Sequence, residues 1–510
     1  MKRLNIFSII VLTFFYISKG WSQIKETSSQ LIENVQLIDG KGNPAFAASV
    51  RIQKDKIIAI GTLSPLPNEK VINGEGWVLA PGFIDTHSHH LNNLRNYPEG
   101  IPATNQGITT IVIGQDGNSI PMDTLKQYFK QNKFAINVAT YTGHTTLREI
   151  VMGENNLLRA ANKIEIAQMQ KLLESDLRKG SLGLSTGLEY EPAFYSSKEE
   201  VMQLARVTAK NKGRYISHIR SEDVQFKDAL EEIIQIGRAT KMPVQISHIK
   251  LGNKDDWGKA AAVLQQLNTA RAEGIQITAD VYPYTYWNST LKVLFPSRDY
   301  NDMKSATLAV EKLMDPAGSV LVKFLPIPSY EGKTILAIAA ENHESPAACL
   351  IRLIALSDRY RKEHPEENGG VEAIAGKAMS EADVAQFIQW PYANICSDGN
   401  AGAHPRGHGA FTRVLGMYVR ENKLMSLETA IHKMTAMSAD HVGIQKRGTI
   451  EVGNYADLVL LDPATVKDQA TLQNSKALST GIKKVWVNGT LVYDNMQATY
   501  QYPGMLIQKQ

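Results

Sequence analysis

Trp77-Val78-Leu79-Ala80-Pro81-Gly82-Phe83-Ile84-Asp85-Thr86-His87-Ser88-His89 is an apolar run closed by two histidines one residue apart. Trp77–Ile84 reads as a strand. On a strand alternate residues face the same way, so His87 and His89 point together beyond its end. Two imidazoles on one side suit a divalent metal such as zinc.

Seven more strand-like runs follow, separated by helical stretches: Thr109–Ile113, Ile136–Thr140, Gly183–Thr186, Arg214–His218, Val244–His248, Gln276–Val281 and Ala393–Ser397. That alternation means parallel strands with crossover helices, and eight such units close into a barrel. The expected fold is α/β, a (β/α)8 TIM-type barrel. About a hundred residues, Leu291 to Gln389, separate the last two strands, far more than a crossover needs. An inserted helical subdomain or lid is expected at about 291–389.

In such a barrel, function gathers at the C-terminal ends of the strands. Strand two ends Gly114-Gln115-Asp116-Gly117, strand five Ser217-His218, strand six Ser247-His248 and strand eight Ser397-Asp398. Four histidines and two carboxylates are thereby expected at one rim. Each alone is a weak signal. A His-x-His is often a hydrogen-bonded pair, and Asp116 before Gly117 also fits a turn. Their recurrence at one end of one barrel favours a metal site.

The flanks read differently. Val35–Leu37, Ser49–Ile52 and Ile57–Ile60 are short strands, and the pattern returns at Asp457–Leu461 and in a hairpin around Asn488-Gly489. Residues 23–80 and 450–510 are expected to pair into one small β-sandwich domain, with the barrel, 81–449, inserted between them. Residues 1–22 have the order of a secretory signal: Lys2 and Arg3, an apolar run from Ile6 to Ile17, then Lys19-Gly20-Trp21-Ser22. The run is too short to span a bilayer, which takes about 20 residues. No Cys stands at the cut to make a lipoprotein. A periplasmic or secreted protein is expected, with no membrane span after cleavage.

Loss of Lys2, Arg3 and Lys19 lowers the basic count from 55 to 52 against 51 acidic residues. This balance gives no argument for nucleic acid, and a small-molecule substrate is the expected partner. The oligomeric state is not legible. Cys349 and Cys396 lie in apolar surroundings and are expected to be buried rather than bonded.

With these residues in hand, the chain resembles the amidohydrolase superfamily. The resemblance rests on His-x-His after Pro81-Gly82-Phe83-Ile84-Asp85, the two later histidines, the late Asp398, and Asp457 in a closing motif read as structural. It narrows to the N-acyl-D-amino-acid deacylase (D-aminoacylase) family. The supporting segments include Gly143-His144-Thr145-Thr146-Leu147-Arg148, Gly183 to Tyr190, Ser247-His248-Ile249-Lys250, Tyr282-Pro283-Tyr284, Ser397-Asp398-Gly399 and His404-Pro405-Arg406. They run in the family's order across nearly the whole mature chain.

The resemblance implies that His218 and His248 hold the tight metal, with His87 and His89 at a second or weaker site. One or two zinc ions are expected. Asp398 would be general base and acid, and Tyr190, Lys250, Tyr282 and Arg406 would grip the substrate carboxylate or carbonyl. The family's ligand after strand two is usually a Cys. Asp116 stands there instead, and a carboxylate is a harder ligand than a thiolate. The implied activity is hydrolysis of the linear amide of an N-acyl-D-amino acid, or of a short peptide ending in a D-residue, giving a carboxylate and a free amino acid. Two alternatives stand beside it. One is a cyclic-amide hydrolase of the dihydroorotase or hydantoinase kind, which often uses a carboxylated Lys that strand four, ending Ser185-Thr186-Gly187, lacks. The other is a non-catalytic barrel that only binds.

Overall fold

The computed structural model describes residues 29–367, 370–402 and 404–509. The expected signal, residues 1–22, lies outside them. Eight parallel strands form the barrel: Phe83–Asp85, Ile108–Ile113, Asn137–Thr140 (extended by Thr142–Gly143), Gly183–Gly187, Arg214–His218, Val244–Ile246, Ile277–Val281 and Ala393–Ile395. The ring closes just beyond strands one and eight, where Asp398 N donates to His87 O and His89 N to Gly399 O, each at 2.9 Å. Asp85 adds to the seam, accepting from Ser397 N at 2.8 Å and Ser397 Oγ at 2.5 Å. The closing contacts therefore run through the residues that carry the rim histidines.

Every residue of Ile108–Ile113 is buried, because helices cover the outside of the ring and side chains fill the inside. The helices are amphipathic. Phe226–Thr240 buries Phe226, Leu230, Ile233, Ile234 and Gly237 along one face. Helix Lys163–Arg178 opens with a reciprocal capping box between Asn162 and Glu165.

The opening apolar run is two strands rather than one. Val78–Pro81 pairs antiparallel with Leu458–Leu461 in the terminal sheet, and only Phe83–Asp85 enters the barrel. The break falls at Pro81-Gly82. Proline gives up a ladder donor, and at Gly82 the backbone passes so close to Thr109 that a Cβ would sit 2.2 Å from its side chain. Strands from both chain ends, Gln30–Leu37 through Val78–Pro81 and Leu458–Leu461 through Gln497–Ala498, make one nine-stranded sheet. Its hairpin turns on Asn488 (φ 47°) and Gly489 (φ 75°), the paired left-handed residues of a type I′ turn. Asp457 pairs with Arg447, accepts from Asn488 N at 2.7 Å and accepts from Asn137 Nδ2 of the third barrel strand at 3.2 Å, which ties this sheet to the barrel.

The insertion differs from the helical subdomain expected. It carries helices, among them Pro346–Glu363, but is built on a three-stranded antiparallel sheet of Tyr286–Ser289, Glu372–Lys377 and Val320–Phe324. The first strand starts ahead of Leu291. Leu321 and Phe324 are buried between half-buried neighbours, and Ile374 is buried beside them in the central strand, where Ala375 and Gly376 are buried as well. Leu291, Phe295, Leu350 and Ile354 join them in a core separate from that of the barrel. Cys349 and Cys396 are free and buried. Among the described residues, no helix is long and apolar enough to cross a membrane.

Candidate metal centre and active site

The strand ends bring the expected donors together. His87 Nε2 lies 3.4 Å from Asp116 Oδ1 and 3.6 Å from Asp398 Oδ1. His89 Nε2 is 3.3 Å from both carboxylates. His248 Nε2 lies 3.5 Å from Asp116 Oδ1 and 3.1 Å from His218 Nδ1. Donors about 2.0–2.1 Å from a zinc ion at tetrahedral angles stand about 3.3–3.4 Å apart. The spacing of the cluster is that of ligands around an ion. Asp116 lies within 3.5 Å of His87, His89 and His248.

Two observations support this fit. His87 is fully buried, yet both its ring nitrogens lack a hydrogen-bond partner, as does Asp116 Oδ1. Buried polar atoms are rarely left so unless something else satisfies them. Second, His248 (φ 35°), Asp116 (φ 54°) and Asp398 (φ 46°) all hold left-handed backbone. That conformation is uncommon outside glycine, costs about 1–3 kcal/mol each, and concentrates at functional sites. It swings these side chains off their strand axes and into the mouth.

A second layer of carboxylates orients the imidazoles. Glu189 Oε2 sits 2.8 Å from His218 Nε2, so the Nδ1 edge faces His248. Glu222 Oε1 sits 2.9 Å from His248 Nδ1, so its Nε2 edge faces Asp116. The peptide N–H of His248 donates to Asp280 Oδ1 at 2.6 Å. A carboxylate behind a ligating histidine fixes its tautomer and strengthens it as a donor. The sequence reading missed Glu222 and Asp280. Glu189 is buried against His218. The available signal was Glu222 four residues beyond His218 on the same rim.

The electrostatics are those of a negatively charged cup. Burial works to raise Asp398, but Arg406 and then His248 and His87 outweigh it and hold the carboxyl well below the usual range. Asp116 is likewise held low against burial by His87, His248 and His89. Burial would neutralise His89, yet Asp116 and Asp398 lift it to about 9. The cup draws in positive charge.

The four expected substrate contacts line one cavity, beside His218, His248 and Asp398. Lys250 Nζ pairs with both Glu222 oxygens at 2.7 Å and lies 2.6 Å from His248 Nδ1. Arg406 Nη1 lies 2.6 Å from Asp398 Oδ2. The Tyr190 ring packs 4.5 Å from that of His218. Tyr282 Oη is buried without a partner, and burial pushes its pKa well above the ordinary value, so it remains a donor. His404 shapes the loop, its Nδ1 accepting from Arg406 N at 3.1 Å. The insertion supplies the opposite wall.

The sequence matches the profile described as "Amidohydrolase family" over residues 70–319 and 394–493, more than half of the chain. The chain belongs to the amidohydrolase family. Within it, the D-aminoacylase of Alcaligenes xylosoxydans xylosoxydans is 32% identical over 504 residues, covering 94% of this chain and 97% of the relative. The N-acyl-D-aspartate deacylase of the same organism is 33% identical over 505 residues, covering 94% of each. The crystal structure of N-acyl-D-glutamate deacylase from Bordetella bronchiseptica, complexed with zinc and a phosphonate inhibitor that mimics the reaction's tetrahedral intermediate, superimposes with a TM-score of 0.84. It is 31% identical, covering 95% of this chain and 100% of that one. These place the chain in the N-acyl-D-amino-acid deacylase branch of the amidohydrolases. The profile's gap, 320–393, falls mostly on the insertion, the part of the molecule that faces the cavity from outside the barrel.

Proposed function

We propose that this protein is a zinc-dependent deacylase that hydrolyses the linear amide of N-acyl-D-amino acids, releasing a carboxylate and a free amino acid. The observation that carries the reading is the donor cluster at metal spacing beside two cations and an orphaned tyrosine hydroxyl. The D configuration rests on what the relatives act on. A short peptide ending in a D-residue presents the same amide and carboxylate and falls within the proposal.

The residues fit an ion. His218, His248 and Asp116 would hold one, with His87, His89 and Asp398 placed for a second beside it. Bound there, such an ion lowers the pKa of water toward about 7 and polarises a carbonyl. Asp398, held ionised, takes the proton of the attacking water and returns it to the leaving nitrogen. Tyr282 Oη donates to the oxygen on which charge develops. Arg406 and Lys250 fix the substrate carboxylate by charged hydrogen bonds. Arg406 also keeps Asp398 oriented until substrate arrives.

The cyclic-amide alternative is disfavoured, because strand Gly183–Gly187 carries no lysine to be carboxylated. The carboxylate between His87 and His248 is that of Asp116 instead. A barrel that only binds would have no use for a paired, buried Asp398. We also propose export, on the strength of Lys2, Arg3 and the apolar run Ile6–Ile17. N-terminal sequencing of the fractionated protein tests this, and intact Met1 in the cytosol would overturn it.

The activity test is amino-acid release from matched N-acetyl-D and N-acetyl-L amino acids and L,D-dipeptides, with added zinc and with chelator. Release from D-type substrates that chelator abolishes is expected. Silence from all of them with metal bound would move the assignment to another amide.

A further inference from the structure

The cavity is polar on one side and apolar on the other. The barrel contributes the site residues and three further carboxylates, Glu189, Glu222 and Asp223. The insertion contributes Trp287, Asn288, Ser289, Val293, Leu294 and Leu313. None of these six is charged, and the two polar ones are neutral.

The two lining cations, Lys250 and Arg406, are already paired with Glu222 and Asp398. The nearest cations of the insertion are engaged elsewhere. Lys292 faces Asp358 at 3.0 Å and Glu191 at 3.8 Å. Arg298 donates to the backbone oxygens of Glu189 and Phe295. Both lining cations, Lys250 and Arg406, are taken up by the α-carboxylate of an acylated amino acid. A second carboxylate, on the side chain, would meet either the apolar wall or the three carboxylates. A buried charge without a partner is strongly disfavoured.

We infer that the wall formed by Trp287, Val293, Leu294 and Leu313 is the side-chain subsite, and that it selects D-amino acids with neutral apolar side chains and rejects D-aspartate and D-glutamate. This rests on the deacylase reading and deepens it. Trp287 offers a flat aromatic face, and Val293, Leu294 and Leu313 supply aliphatic contact. Leucine, methionine, phenylalanine and tryptophan side chains gain by entering such a surface.

The test is kcat/KM of the full-length, zinc-loaded protein on N-acetyl-D-Leu, -Met, -Phe, -Trp, -Asp, -Glu and -Lys. The apolar substrates are expected to exceed the two acidic ones by about 100-fold or more. Preference for D-Asp, D-Glu or D-Lys would overturn the subsite while leaving the deacylase reading in place. No release from any substrate would overturn both. Val293→Arg, at a half-buried position, puts a cation into the wall and is expected to shift the ratio toward N-acetyl-D-Glu by about tenfold or more. An unchanged ratio in a folded variant would place the side chain elsewhere.

Discussion

The guanidinium of Arg406 sits 2.6 Å from Oδ2 of Asp398 and over the ring of Tyr282, 4.7 Å from its centroid. Oδ1 of Asp398 is left facing His87 and His89. One carboxylate oxygen is anchored and the other is presented to the reacting centre, the arrangement a proton shuttle needs. Asp398→Asn keeps the shape and an oxygen but removes the base. Its kcat is expected to fall by about 10²–10⁴-fold, with the ion assigned to His218, His248 and Asp116 still found by elemental analysis. A near-normal kcat would end the assignment of Asp398 as base.

Asp116 faces three histidines across 3.3–3.5 Å. Asp116→Ala leaves His87 and His248 without the carboxylate between them. Metal affinity, read by competition with a chromogenic chelator, is expected to weaken by more than about tenfold, since even outer-layer losses cost 10–100-fold. Asp116→Cys restores a ligand of softer character and is expected to recover zinc. Full metal content in Asp116→Ala would make Asp116 a turn residue only.

Much of this was legible in the sequence, for physical reasons. The barrel strands are largely buried on both faces, so most appear as apolar runs such as Ile108–Ile113, and the rim residues follow at their ends. His87, His89, Asp116, His218, His248 and Asp398 could be found that way. Val78–Pro81 was run into the first barrel strand because an apolar run does not say which sheet it joins. That choice depends on Leu458–Leu461, nearly four hundred residues away. The strand Glu372–Lys377 was lost in the insertion because its partners are likewise distant in sequence. Glu222 escaped because a glutamate in a loop looks like a solvated charge until the fold brings His248 to it. The pairing of Lys250 with Glu222, and of Arg406 with Asp398, was hidden for the same reason.

Glu189 tests the supporting layer. Its carboxylate holds His218 Nε2 at 2.8 Å while the Tyr190 ring covers the imidazole. Glu189→Gln preserves size and can still hydrogen bond, but the charge behind His218 is gone. Zinc affinity or activity is expected to drop by about 10–100-fold, with little change in KM because the group acts through the imidazole. Loss confined to KM would place Glu189 against substrate instead.

Glu372 ties the insertion's sheet to the cavity wall, accepting from Leu291 N at 3.2 Å. Burial pushes its pKa up to about 7, only partly offset by Leu291 N–H, Arg361 and Lys292, against 4.5 for an ordinary Glu. Below pH about 4.5 the folded and unfolded chains both carry the proton, and Glu372 favours neither state. As pH rises from about 4.5 to 7 the unfolded chain ionises first, so the wild type loses stability. The loss levels off above about 7 at no more than about 3 kcal/mol. Glu372→Gln keeps an acceptor for Leu291 and does not titrate. Urea midpoints of the two proteins are therefore expected to diverge with rising pH, with the variant the more stable at pH 8 and the gap closing toward pH 4.5. A gap that stays constant across that range would show that Glu372 is ionised in the folded protein throughout, held by Arg361 and Lys292 rather than by its proton.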